Sequence, residues 1–73
     1  MPPVPVLGAR EVVRAFLRLG WEVARQSGSH IILVKADSPA TLSVPNHAQV
    51  ARGTLRSLIR RAGTTVEEFT ANL

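Results

Sequence analysis

Apolar residues recur along this chain first at helical spacing, then at strand spacing, then at helical spacing again. Val12, Val13, Phe16 and Leu17 form one stripe of a helix predicted from about Ala9 to Leu19, and Gly20 supplies its stop. Trp21 to Gln26 alternates as a strand, with Trp21 and Val23 on one side and Glu22 and Ala24 on the other. Ser27-Gly28 signals a turn, and the β-branched run Ile31-Ile32-Leu33-Val34 reads as a central strand covered on at least one face. Asp37-Ser38-Pro39-Ala40 makes the next turn, and Thr41 to Val44 is a third short strand. From Pro45 to Ala51 the periodicity fades into a loop. It returns in Leu55, Leu58, Ile59 and Ala62, the core-facing stripe of a second helix closed by Gly63.

The tail adds one more element. Thr65 is placed to cap a final turn, with Glu68 three residues on as in a capping box, and Val66, Phe69 and Leu73 dock that turn on the core. The order is therefore helix, strand, strand, strand, helix and a short C-terminal helix. Three sequential strands with short turns form an antiparallel meander, and helices on one face of it give an α+β two-layer sandwich. The order is similar to that of the double-stranded-RNA-binding fold, an analogy that by itself assigns no activity. Before it, Met1-Pro2-Pro3-Val4-Pro5-Val6-Leu7 reads as an extended arm over residues 1–7, leaving 8–73 as a single domain.

Composition narrows the candidates. With 73 residues the chain is near the lower limit for an unaided core, so no deep cofactor cavity is expected and a substrate should lie across a surface. Nine Lys and Arg against five Asp and Glu leave a net charge of +4, which favours phosphate-bearing partners. Eight of the nine cations are Arg, whose fork matches phosphate oxygens. Arg10, Arg14 and Arg18 step by four along the first helix, and Arg52, Arg56 and Arg60 do so along the second. Each step advances ~6 Å, comparable to the spacing of backbone phosphates, so the two ribs are candidate RNA contacts as well as ordinary solvated faces. There is no cysteine, and two histidines alone make a poor metal site, so neither a metal nor another cofactor is expected. The start has neither the charge nor the apolar run of a signal peptide, and no run approaches a membrane span; the expected location is the cytoplasm, with no membrane partner.

Chemistry concentrates at Gly28-Ser29-His30, where an imidazole follows a turn. Metal-free cleavage of RNA needs a base for the 2′-hydroxyl proton, an acid for the leaving oxygen and cations around the phosphorane charge. His30 is the candidate base; His47, in Pro45-Asn46-His47, is either the acid or a loop anchor. Strand periodicity groups His30 with Ile32 and Val34, which favours a partly buried structural histidine over a catalytic one. Its place beside the turn leaves the direction open, because twist or a bulge re-aims a side chain there.

A longer pattern bears on that choice. Leu19-Gly20-Trp21-Glu22-Val23, Arg25-Gln26-Ser27-Gly28-Ser29-His30, Val44-Pro45-Asn46-His47, Arg52-Gly53-Thr54-Leu55 and Glu67-Glu68-Phe69 follow one another in the order and spacing of the HicA-type toxins. The chain resembles that family from roughly Leu7 to Leu73. The resemblance implies an mRNA-cleaving toxin of a type II toxin-antitoxin pair, a metal-independent endoribonuclease with His30 as catalytic residue. It also implies Gly28 and Ser29 as supports of that signature, a supporting role for His47, and a HicB-type antitoxin as inhibitory partner. Where the family often has a serine cap on the first helix, Gly8-Ala9 stand here. The alternative readings are a non-catalytic RNA-binding module of the double-stranded-RNA-binding type and, less well supported because three strands separate the helices, a DNA-binding helix-turn-helix.

Overall fold

The computed structural model describes residues 4–73, in the order α1 (Ala9–Arg18), β1 (Glu22–Ser27), β2 (His30–Val34), β3 (Thr41–Pro45), α2 (Arg52–Arg61) and α3 (Val66–Thr70). The strands form one antiparallel sheet in the order β1-β2-β3, so the strand with the richest β-branched content lies in the middle. This is the expected α+β sandwich with the helix-strand-strand-strand-helix order. Of the arm expected over residues 1–7, residues 1–3 lie outside the described residues. Val4 and Leu7 are buried in the core, and Val50 donates its N–H to the Leu7 carbonyl at 2.7 Å.

The core lies between one face of the sheet and the helices. α1 buries Ala9, Val12, Ala15 and Phe16, while Val13 is half-buried and Leu17 is exposed, so the apolar stripe is narrower than the sequence suggested. Leu55, Leu58 and Ile59 bury the matching face of α2. Full burial of a side chain such as Phe16 or Val12 contributes roughly 1.5–3 kcal/mol each. From the sheet, Leu33 of β2 and Leu42 and Val44 of β3 meet these helices. β1 is different: every residue in it is exposed, Val23 included.

The tail closes the fold with Phe69, which is fully buried against Phe16 at a centroid distance of 5.0 Å. Thr65 Oγ1 accepts the Glu68 N–H at 3.1 Å, whereas the Glu68 carboxylate turns to the hydroxyls of Thr64 and Thr65 instead of reaching back to the main chain. Leu73, expected to dock, stays nearly half exposed. The last residues are held by a different group: Arg18 Nη1 donates to the main-chain oxygens of Asn72 and Leu73, both at 3.2 Å.

The glycine at the start of α1 has a steric reason. Gly8 is the N-cap, its N–H donates to Glu11 Oε1 at 3.1 Å, and a Cβ on it would come within 2.8 Å of the Ala48 carbonyl oxygen. That carbonyl belongs to the loop that meets the helix end, where Ala9 N–H donates to the His47 carbonyl at 3.0 Å. Gly8→Ala should therefore destabilise the fold by about 1–3 kcal/mol through this overlap, read as a lower melting temperature. An unchanged or higher melting temperature would show that the loop yields without cost.

Candidate functional site

The hairpin turn fixes the site. Gly28 has φ of 59°, and no residue other than glycine has positive φ among the described residues, so the two-residue turn Gly28-Ser29 has the signs of a type II′ turn. That turn pairs Ser27 with His30 and sets the register of the hairpin. A slip of one residue would exchange the two faces of β2.

In the observed register Ile31 and Leu33 pair with Val44 and Leu42 on the helix side. His30, Ile32 and Val34 alternate to the other side, beside Pro45, Ser43 and Thr41 of β3. The grouping expected from the sequence holds, but that face is the open one, because the helices pack on its opposite. His30 and Val34 are accordingly exposed. Ile32 is 9% exposed and stands outside the main core cluster, so its shield is its neighbours on the open face.

β1 contributes to this face through an irregularity. Its register shifts between Val23 and Arg25, leaving Ala24 as the extra residue of a bulge. Val23 pairs with Leu33 and Gln26 with Ile31, so two residues of opposite parity both face the helices. Arg25 pairs with Ile32 and Ser27 with His30, so both share the open face with the imidazole. Simple alternation put Arg25 on the side of Trp21 and Val23. The bulge reverses that, and this is why sequence reasoning missed Arg25 as a neighbour of His30.

The second histidine sits close by in the chain path. Ser29 accepts the Asn46 N–H at 2.7 Å, tying the hairpin turn to the loop after β3. His47 is exposed; its N–H donates to the Pro45 carbonyl at 2.9 Å and its own carbonyl receives Ala9. Its main chain thus joins the end of β3 to the start of α1.

The helix arginines lie elsewhere. Arg10 and Arg14 line a groove of about 590 Å³ with Val13, Leu17, Val23 and Ile31, on the helix side of the sheet. Arg56 and Arg60 line another groove, of about 410 Å³, with Thr65 and Val66 of the tail. Arg52 flanks a third hollow beside Gln49 and Val50, and Arg18 is engaged by the last residues. The two ribs therefore line separate hollows, and the groove of Arg10 and Arg14 is also lined by Gln26, Ile31 and Asn46 near the hairpin turn. Among the described residues the one ion pair is Lys35 with Asp37 at 3.8 Å, so these guanidiniums carry no Asp or Glu partner there. Their charges add to a positive field over the molecule. Among the described residues no three His, Asp or Glu side chains gather as a metal site, and no helix is long and apolar enough to cross a membrane.

Comparison with known proteins gives one result. A family model described as the HicA toxin of bacterial toxin-antitoxin systems matches residues 9–64, from the start of α1 to just past α2. No curated protein matches the chain.

Proposed function

The chain belongs to the HicA toxin family of bacterial toxin-antitoxin systems, and from that premise we propose that it is an endoribonuclease that cleaves mRNA with His30 as general base. The observation that carries this reading is the exposure of His30 at the head of the central strand, on the sheet face that no helix covers. A base must reach the proton it removes, and a surface site suits a polymer better than a pocket.

The chemistry follows from one proton. Neutral His30 takes the proton of a ribose 2′-hydroxyl, and the freed oxygen attacks the adjacent phosphorus. The bond from phosphorus to the 5′-oxygen breaks, and that oxygen leaves as a hydroxyl after taking a proton from solvent. The products are a 2′,3′-cyclic phosphate and a 5′-hydroxyl. Gly28 and Ser29 hold His30 through the turn geometry. His47 supports the site by joining β3 to α1. Arg10, Arg14, Arg18, Arg52, Arg56 and Arg60 bind RNA through its phosphates and draw it to the molecule by their summed field. No metal ion or cofactor enters the reaction.

The partner in this reading is an antitoxin of the HicB type, acting with the toxin in the cytoplasm. The excess of nine cations over five anions supports an acidic inhibitor, since opposite charge speeds encounter.

The mechanism has a chemical test in the substrate. Replacing one ribose at a mapped cleavage site by 2′-deoxyribose removes the attacking hydroxyl. Cleavage there should stop, with neighbouring sites still cut, in the presence of EDTA. A cut at the deoxy position would exclude the 2′-hydroxyl as nucleophile.

A further inference from the structure

We propose that the open face of the sheet is a phosphodiester-binding site and that Arg25 is the residue that holds the phosphate. The proposal rests on the reading of that face as the place of reaction, and it separates Arg25 from the helix arginines by position.

Ser27 is the direct cross-strand partner of His30, and Arg25 lies two residues along the same edge on the same face. Such diagonal neighbours are about 7–8 Å apart at Cα, within reach of a long side chain. A phosphate seated between an imidazole at one corner and a guanidinium at the other fits that span. Of the nine Lys and Arg residues, the strand pairing places only Arg25 on the face of His30.

Packing supports the same arrangement. Arg25 pairs directly with Ile32, which has lost nearly all of its exposure although no helix lies over it. Arg25 and Ser43 flank Ile32 across the sheet, and His30 and Val34 flank it along the strand. The aliphatic stem of an arginine covers apolar surface while its charged end stays in water. A stem laid along Ile32 would keep the head on this face; Arg25 is exposed and forms no ion pair among the described residues, although Glu22, the partner of Val34, stands on the same face.

The chemistry is that of an anion clamp. Attack by the 2′-oxygen places extra negative charge on the two non-bridging oxygens of the phosphorus. A guanidinium meets two such oxygens with parallel N–H donors, and the contact strengthens as charge develops. Lysine supplies the charge without the fork.

The test compares Arg25→Ala, Arg25→Lys and Arg61→Ala. Arg61 lies on α2 and donates to the Thr41 carbonyl at 2.9 Å, so its variant removes one charge away from the site. At saturating RNA, Arg25→Ala should lower the cleavage rate constant ~10²- to 10³-fold, the usual effect of losing one such donor. Arg25→Lys should recover part of that, and Arg61→Ala should stay within twofold of the parent. A second measurement does not need cleavage: affinity for an RNA oligonucleotide with 2′-O-methyl groups throughout, followed against salt. Arg25→Ala should weaken it and reduce the salt slope by ~0.7 relative to the parent. If Arg25→Ala cleaves and binds like Arg61→Ala, the proposal is overturned. If the parent protein does not cleave but Arg25→Ala lowers affinity in this way, the phosphate site stands and the nuclease reading falls.

Discussion

His30→Ala should reduce RNA cleavage by ~10²- to 10⁴-fold, the contribution typical of one positioned proton-transfer group. The rate is measured on labelled RNA under single-turnover conditions with the protein in saturating excess, so that binding does not enter. Folding should be nearly unchanged, because His30 is exposed and makes no side-chain hydrogen bond among the described residues. Exposed substitutions of this kind stay within about 0.5 kcal/mol, a shift of roughly 2–4 °C in Tm for a domain of this size. Loss of activity with an unchanged melting curve assigns the effect to chemistry. Cleavage that survives the substitution removes His30 from the mechanism, and absence of cleavage by the parent protein leaves an RNA-binding module instead.

The largest effect on stability should come from Phe16→Ala. Phe16 is fully buried and is the ring at which three parts of the chain meet. Trp21, just before β1, stands edge-on to it at a centroid distance of 6.4 Å and an angle of 72°, and Phe69 of α3 lies at 5.0 Å. Its carbonyl also accepts the Trp21 N–H at 3.0 Å. Truncation to alanine should cost about 3–5 kcal/mol, from lost burial and the cavity left behind. A domain of this length has only roughly 4–11 kcal/mol to lose. The expected readout is a Tm lowered by at least ~12 °C, or a chain already partly unfolded at 25 °C. A shift below ~5 °C would mean that α3 and Trp21 close over the vacancy, and that the aromatic contact is not what joins them.

These two substitutions separate what the sequence makes legible from what it leaves open. Phe16 lies in a stripe of helical period, so its burial follows from spacing alone. The same holds for Leu55, Leu58 and Ile59 on the second helix. The hairpin is equally local, since Ser27-Gly28-Ser29 contains the glycine that a positive φ at the first turn position needs. Periodicity also grouped His30 with Ile32 and Val34 correctly, but it gave that group no direction. A strand with apolar residues on both sides does not say which side receives the helices. Only the docking of both helices on the side of Leu33, Leu42 and Val44 decides that His30 faces water.

The helix arginines show the converse. Their four-residue steps are plain in the sequence, yet a step along a helix says nothing about which groove that face overlooks. In the structure Arg10 and Arg14 stand over one groove and Arg56 and Arg60 over another, while Arg18 fastens the tail.

By itself, then, the sequence determined the elements, their order, the turn that sets the hairpin register and the family signature around His30, because each of these depends on residues near one another in the chain. The tertiary structure alone decided which sheet face is open and which cations share it. The bulge at Ala24 puts Arg25 on the face of the imidazole, while Val23, before it, stays on the helix side and lines the groove beside the first helix. One extra residue in an edge strand reverses every side chain beyond it, and it is stabilised by pairing with β2, which no local reading of β1 contains.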